Sequence, residues 1–253
     1  MSTESIEASF LSIFALISFF IFLLVSKYSH KIKGGVLLDK DFLKPQAFHE
    51  TPITRSGGIA VIISLSIFFY IYHLLYAEVL HNYIFISFSV FTIGFLDDLR
   101  INIKPLSRLL IMILPLFVCI YALPIKIINI DIPFLTTFMS IPIFSSIFVL
   151  LCFLFVINGA NLIDGFNGLL TINLIIINII LAYININNGN LEFSILIISQ
   201  IIILFSFLLF NFPSAKIFLG DSGAYTMGAL VGLNTIITNN LNPTISSFFF
   251  CTL

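Results

Sequence analysis

Charge is scarce in this sequence. Lysine, arginine, aspartate and glutamate make up only 9% of its 253 residues, against roughly a quarter in an ordinary soluble domain. That scarcity excludes a freely dissolved globular protein. With 59% hydrophobic residues and a mean hydropathy of +1.15, the chain reads as a polytopic membrane protein. Paired cysteines are also lacking. Cys119, Cys152 and Cys251 sit singly inside apolar runs, where they read as packing residues rather than disulfide partners or metal ligands. The first nine residues, MSTESIEAS, carry Glu4 and Glu7 but no basic residue. A cleaved signal peptide begins positive, so the apolar run from Phe10 reads as a retained first helix. Four histidines, His30, His49, His73 and His81, are too scattered for a metal triad. A net charge of −1 says nothing about partners, so only the distribution of charge is informative.

What is present is long apolar runs. Crossing the hydrocarbon takes about 20 such residues in a helix. Candidate spans are 9–26, 57–76, 83–96, 108–123, 136–157, 168–184, 191–210 and 223–239. The expected fold class is all-α: an integral membrane helix bundle of about eight complete spans plus the start of a ninth, in a single domain over 1–253. After Pro243 only TISSFFFCTL remains. Ten helical residues reach ~15 Å, half of a hydrocarbon layer ~30 Å thick. The domain is therefore expected to be incomplete at its C-terminus.

Basic residues orient the bundle. Lys27, Lys31, Lys33, Lys40, Lys44 and Arg55 follow the first span; Arg100, Lys104 and Arg108 follow the third; Lys216 follows the seventh. Lys126 alone falls on the other side, so ten of eleven basic residues share one face. That face is expected to be cytoplasmic, with the N-terminus outside. TPITRSGGIA (51–60), GFLDDLR (94–100), NGANLIDGFNGLL (158–170) and KIFLGDSGAYTMG (216–228) all fall in loops on that same side.

These stretches carry the candidate chemistry. Asp97 and Asp98 are adjacent, and helical neighbours point about 100° apart. One can face the bundle interior while the other meets a metal, a cation or solvent; a solvated helix end beside Arg100 is the plainer alternative. Asn158, Asn161, Asp164 and Asn167 recur at spacing three among Gly159, Gly165 and Gly168. That spacing serves one helical face or one tight turn, and amides with a carboxylate suit a nucleoside, a hydroxylated ligand or a hard cation. Asp221 stands between Gly220 and Gly223. It reads either as a helix N-cap or as part of a site where glycines let backbone approach a ligand. Spans six and eight both start on the cytoplasmic side, and helix N-termini favour phosphate. Carboxylates gathered around phosphate imply a bridging hard cation, with Mg²⁺ fitting phosphoryl transfer.

With TRSGGIA, GFLDD, NGANLIDGFNGL and IFLGDSGA in that order over residues 51 to about 230, the chain resembles the polyprenyl-phosphate N-acetylhexosamine-1-phosphate transferases. The resemblance implies transfer of a sugar-1-phosphate from a UDP-sugar to a polyprenyl phosphate carrier in the membrane, releasing UMP and initiating a cell-envelope glycan. It implies a bacterial inner-membrane enzyme with a cytoplasmic site, Mg²⁺ or Mn²⁺ as cofactor, no nucleic-acid partner and a homodimer as a candidate assembly. Carried over by position, Asp97 contacts or activates the lipid phosphate, Asp98 supports it and Asp164 orders the site. Asn161 and Asp221 would hold the metal, while Asn167 and Phe218 line the uracil pocket beside Gly220. Asn167 stands where many members have Asp, and the spacing in TPITRSGG aligns no catalytic lysine. A carboxylate-lined ion or proton transporter, or an inactive partial transferase, are the alternatives.

Overall fold

A computed structural model describes residues 3–29, 37–39, 52–99, 101, 104–123, 125–128 and 130–251. Lys31, Lys33, Lys40, Lys44, Arg100, His30 and His49 lie outside the described residues. The elements in chain order are α1 (Thr3–Tyr28), β1 (Leu38–Asp39), β2 (Ile53–Thr54), α2 (Gly57–Tyr76), α3 (His81–Asp98), α4 (Pro105–Ala122), α5 (Pro133–Met139), α6 (Pro142–Ile163), α7 (Leu169–Asn187), α8 (Leu191–Asn211), α9 (Gly220–Leu241) and α10 (Ser247–Cys251). The expected all-α membrane bundle is what forms. Each of the eight expected spans corresponds to one long helix, and the two-residue strands make only a small antiparallel hairpin.

Boundaries shift, with α3 running on to Asp98 and α9 starting at Gly220, and one expected span is broken. The run expected as a single span over 136–157 breaks before Pro142, whose ring removes a donor and pushes the preceding residue out of helical geometry. Ile141 is extended, with φ −84° and ψ 114°. The helix that restarts there runs on to Ile163. Asn158 and Asn161 thus sit on its last turns rather than in a loop.

Among the described residues, six helices are long and apolar enough to cross a membrane: α2, α4, α6, α7, α8 and the Glu7–Tyr28 part of α1. Leu16, Tyr70, Leu114, Phe155 and Leu209 stand exposed on their outer faces, as lipid-facing side chains would. The less apolar α9 lies inside, packed against α2, α3, α6 and α7, with most of its length buried. Small residues let α3 and α9 close up. A Cβ added at Gly94 would lie 2.5 Å from Ser222 Cα, so only glycine fits that crossing.

Amides fix α9 in the middle of the bundle. Asn234 Nδ2 donates to Asn178 Oδ1 at 2.9 Å and to Gln200 Oε1 at 2.8 Å, and Tyr83 donates to Asn234 Oδ1 at 2.8 Å. All four residues are buried. In a bundle where lipid supplies no hydrophobic force between helices, such bonds set the register. Asn234→Leu is expected to lower stability by about 1–3 kcal/mol, since it orphans the buried groups of Tyr83, Asn178 and Gln200. Melting of the detergent-solubilised chain checks this, and an unchanged midpoint would remove the network from the account.

The helix ends sort into two groups. At one end, Ser29 bonds Thr54, Asp98 meets Asp221, Asn161 meets Tyr225, and Asn211 meets Gly168. At the other, Tyr76 meets Glu7, Ile128 meets Asn240, and Asn190 meets Asn242. The four motif stretches therefore do share one end, as alternating spans require.

Candidate active site

Two chain segments are knitted together at the motif end by backbone hydrogen bonds. Gly57 N donates to Phe218 O at 2.9 Å, Gly58 N to Leu219 O at 2.8 Å, and Phe218 N to Thr54 O at 2.8 Å. TPITRSGG and KIFLGDSG thus form one platform, which fixes where α9 begins. Arg55 projects from this platform and binds Asp39 Oδ2 through Nη2 at 2.8 Å and Nε at 3.2 Å. Burial works against its charge, but the Asp39 bond and charge, with the fields of Asp221 and Asp98, hold its pKa above the usual arginine value.

Asp97 and Asp98 diverge as helical neighbours must. Asp98 is 1% exposed. It accepts hydrogen bonds from Asp221 N at 2.9 Å, Ser222 N at 3.0 Å and Ser222 Oγ at 2.5 Å. Its carboxylate therefore caps the N-terminus of α9 from a different helix, satisfying donors that would otherwise be orphaned and meeting the positive end of the dipole. Gly220 makes room for it: with φ +76°, an added Cβ would lie 2.7 Å from Asp98 Oδ2.

This corrects the expectation that the α9 terminus is open for phosphate. Its first amides are taken by Asp98, and at α7 the Gly168 N–H is taken by Asn211 Oδ1 at 2.6 Å. Nor is Asp221 the N-cap of its own helix; it lies in the first turn, with its carboxylate free for another partner.

That partner is Arg108, on the first turns of α4. Arg108 Nη1 donates to Asp97 Oδ2 and, at 3.3 Å, to Asp221 Oδ2. The guanidinium carbon lies 5.5 Å from the centre of the Tyr225 ring. Tyr225 is fully buried and accepts from Asn161 Nδ2 at 3.2 Å. Asp97, Asp221, Arg108, Tyr225 and Asn161 thus form one contiguous cluster drawn from α3, α4, α6 and α9.

The other expected site residues border it. Asp164 follows the last residue of α6; burial and the charges of Asp221 and Asp98 push its pKa well above its ordinary value. Asn167 Nδ2 donates to Pro213 O at 3.1 Å on the α8–α9 connection, the same connection that carries Phe218. Sequence reasoning treated Arg108 only as a topology charge and did not single out Tyr225 or Asp39. A basic residue one turn inside an apolar helix, rather than before it, was the available signal for Arg108.

A cavity of ≈ 1110 Å³ lined by Glu7, Tyr76, Glu78, His81 and Glu192 lies at the opposite end, away from this cluster. Among the described residues, no three His, Cys, Asp or Glu side chains form a self-sufficient metal cage. The cluster nonetheless suits magnesium, which is held by one or two carboxylates and completed by water and phosphate oxygens. Asp97 and Asp221, both in contact with Arg108, would be those carboxylates, and Asn161 would add an amide oxygen.

Residues 80–239, which include every member of the cluster, match the family described as glycosyl transferase family 4. The chain belongs to that family. Curated relatives of this glycosyl transferase family 4 chain that carry the name phospho-N-acetylmuramoyl-pentapeptide-transferase include three from different bacteria. The Clostridium perfringens protein is 32% identical over 163 residues, covering 61% of this chain and 51% of its own length. The Streptococcus thermophilus protein is 30% identical over 228 residues, covering 84% and 66%. That of Orientia tsutsugamushi is 30% identical over 234 residues, covering 76% and 62%. The chain thus spans about half the length of the first of these and up to 66% of the others.

Proposed function

We propose that the chain transfers a sugar-1-phosphate of the N-acetylhexosamine type from a UDP-sugar to a polyprenyl phosphate at the cytoplasmic face of a bacterial inner membrane. An oxygen of the lipid phosphate attacks the phosphorus attached to the sugar, the bond to UMP breaks, and a lipid diphosphate-sugar forms. The relatives' shared name makes phospho-N-acetylmuramoyl-pentapeptide the first unit to test as the transferred group. The observation that carries the proposal is the Asp97–Arg108–Asp221 cluster at the bundle end where the four motif stretches meet.

Phosphoryl transfer demands positioning and charge compensation more than covalent help. Asp97 would contact the lipid phosphate, and Asp98 positions the first turn of α9, hence Asp221. Asp164, at the end of α6, would order the turn that follows. Asn167 and Phe218 line the side on which uracil would lie. A bound Mg²⁺ or Mn²⁺, held by Asp221 with Asn161 or Asp97, would supply Lewis-acid neutralisation of the diphosphate.

Incubating membranes that contain the chain with candidate UDP-sugars and polyprenyl phosphate should release UMP and yield lipid-linked product. Neither product with any donor would sink the reading. Orientation is separately testable. Cysteines placed at the exposed positions Asn188 and Ser214 should differ, the first labelled from outside by an impermeant reagent and the second only once the membrane is breached. The reverse pattern would put the cluster in the wrong compartment.

A further inference from the structure

Arg108 lies where a divalent cation shared by Asp97 and Asp221 would have to lie. One guanidinium nitrogen, Nη1, touches Oδ2 of both carboxylates, the second at 3.3 Å. A magnesium ion sits about 2.0–2.1 Å from its oxygen ligands, so the ion and that nitrogen cannot both occupy the gap. Their like charges also oppose each other there.

The surroundings make Arg108 able to move. Its side chain is 21% exposed and reaches in from the first turns of α4. The guanidinium already lies over Tyr225, whose ring is held by burial and by the Asn161 bond. That ring is a resting place the arginine keeps after losing a carboxylate. Arg55, the other cation acting on these groups, is committed to Asp39. Asp98 is committed to the α9 amides and does not compete for either charge.

From these contacts we infer that Arg108 is a built-in counter-cation: it neutralises Asp97 and Asp221 while no metal is bound, and yields at least one of them when a divalent cation binds. The inference rests on the reading of Asp221 as a metal ligand. It gives Arg108 a role in setting metal affinity, which a residue that merely aligned the two carboxylates would affect in the opposite direction.

The test uses Mn²⁺, a hard cation visible by electron paramagnetic resonance, with the full chain in detergent micelles. Arg108→Gln should bind Mn²⁺ at least fivefold more tightly than wild type, because nothing need be displaced. Its metal-free melting point should fall, and Mn²⁺ should raise that point by more than in wild type. Arg108→Lys should return affinity towards the wild-type value, and Asp221→Asn should lose binding. In the unaltered chain, Mn²⁺ should increase modification of Arg108 by phenylglyoxal, read by mass spectrometry. That measurement decides the matter if Arg108→Gln fails to fold. Unchanged or weaker Mn²⁺ affinity in Arg108→Gln, an unmoved metal-free melting point, Arg108 modification that Mn²⁺ leaves unchanged or lowers, or no Mn²⁺ binding by any chain would each overturn the inference. A chain that shows the exchange but releases no UMP keeps this inference and loses the transferase reading.

Discussion

Asp221→Asn is expected to insert and fold normally while losing sugar-phosphate transfer by about a thousandfold or more, ~4 kcal/mol of transition-state stabilisation. Fold and activity separate here because of where the carboxylate points. Asp221 is held at the start of α9 by backbone, through the amide that Asp98 accepts, and its side chain meets Asp97 and the half-buried Arg108. Removing its charge relieves repulsion with Asp97 and Asp98, so melting should be unchanged or slightly raised. Activity should fall because the remaining cluster has one carboxylate where two are needed to compensate the charge of metal and diphosphate. Thermal unfolding and UMP release measured on the same preparation check both halves. Near-normal turnover by this variant, or full wild-type turnover in excess chelator, would remove the metal from the mechanism.

Asp98→Ala is expected to behave in the opposite way, with fold and activity failing together. Three donors converge on that carboxylate at 2.5–3.0 Å in a site with almost no water access. Each buried donor left unpaired costs about 1–3 kcal/mol, and the helix dipole loses its counter-charge. A loss of roughly 3–5 kcal/mol in stability follows, the range for breaking a buried, charge-assisted arrangement. Asp98→Asn keeps one acceptor oxygen but turns an amide towards N–H groups, so it should fall between alanine and wild type. If Asp98→Ala melts like wild type and still loses transfer, then Asp98 acts on substrate and not through α9.

These two outcomes show how far the sequence could be read. The adjacent pair was legible as two residues with different tasks, because a rotation of about 100° per residue admits nothing else. Which carboxylate turned inward was not legible, since it depends on α9 arriving beside α3 from 123 residues away. The same distance hid the capping of α9. From sequence alone its glycine-flanked start reads as a phosphate cradle, and only the packed structure shows its amides already taken. The long helices were legible from apolar runs that match the membrane thickness. The break before Pro142 was missed because the run on both sides is equally apolar, and a proline at a first helical position looks the same as one inside a span. Arg108 was legible as an orienting charge and not as chemistry, because its two partners lie on helices it meets only in space.

The cap on α9 also has a consequence in time. The chain emerges from the ribosome with α3 first, and Asp98 acquires its donors only when Asp221 and Ser222 follow. At about 5–20 residues per second, the separation of 123 residues leaves that carboxylate waiting roughly 6–25 s. An unpaired aspartate at the bilayer centre costs roughly 2.5–3.5 kcal/mol during that interval. Nascent α3 is therefore expected to ride high at the interface, and to sink to its final depth only when α9 arrives. Biogenesis of this bundle then has a late locking step, in which the most polar long helix completes one of the earliest.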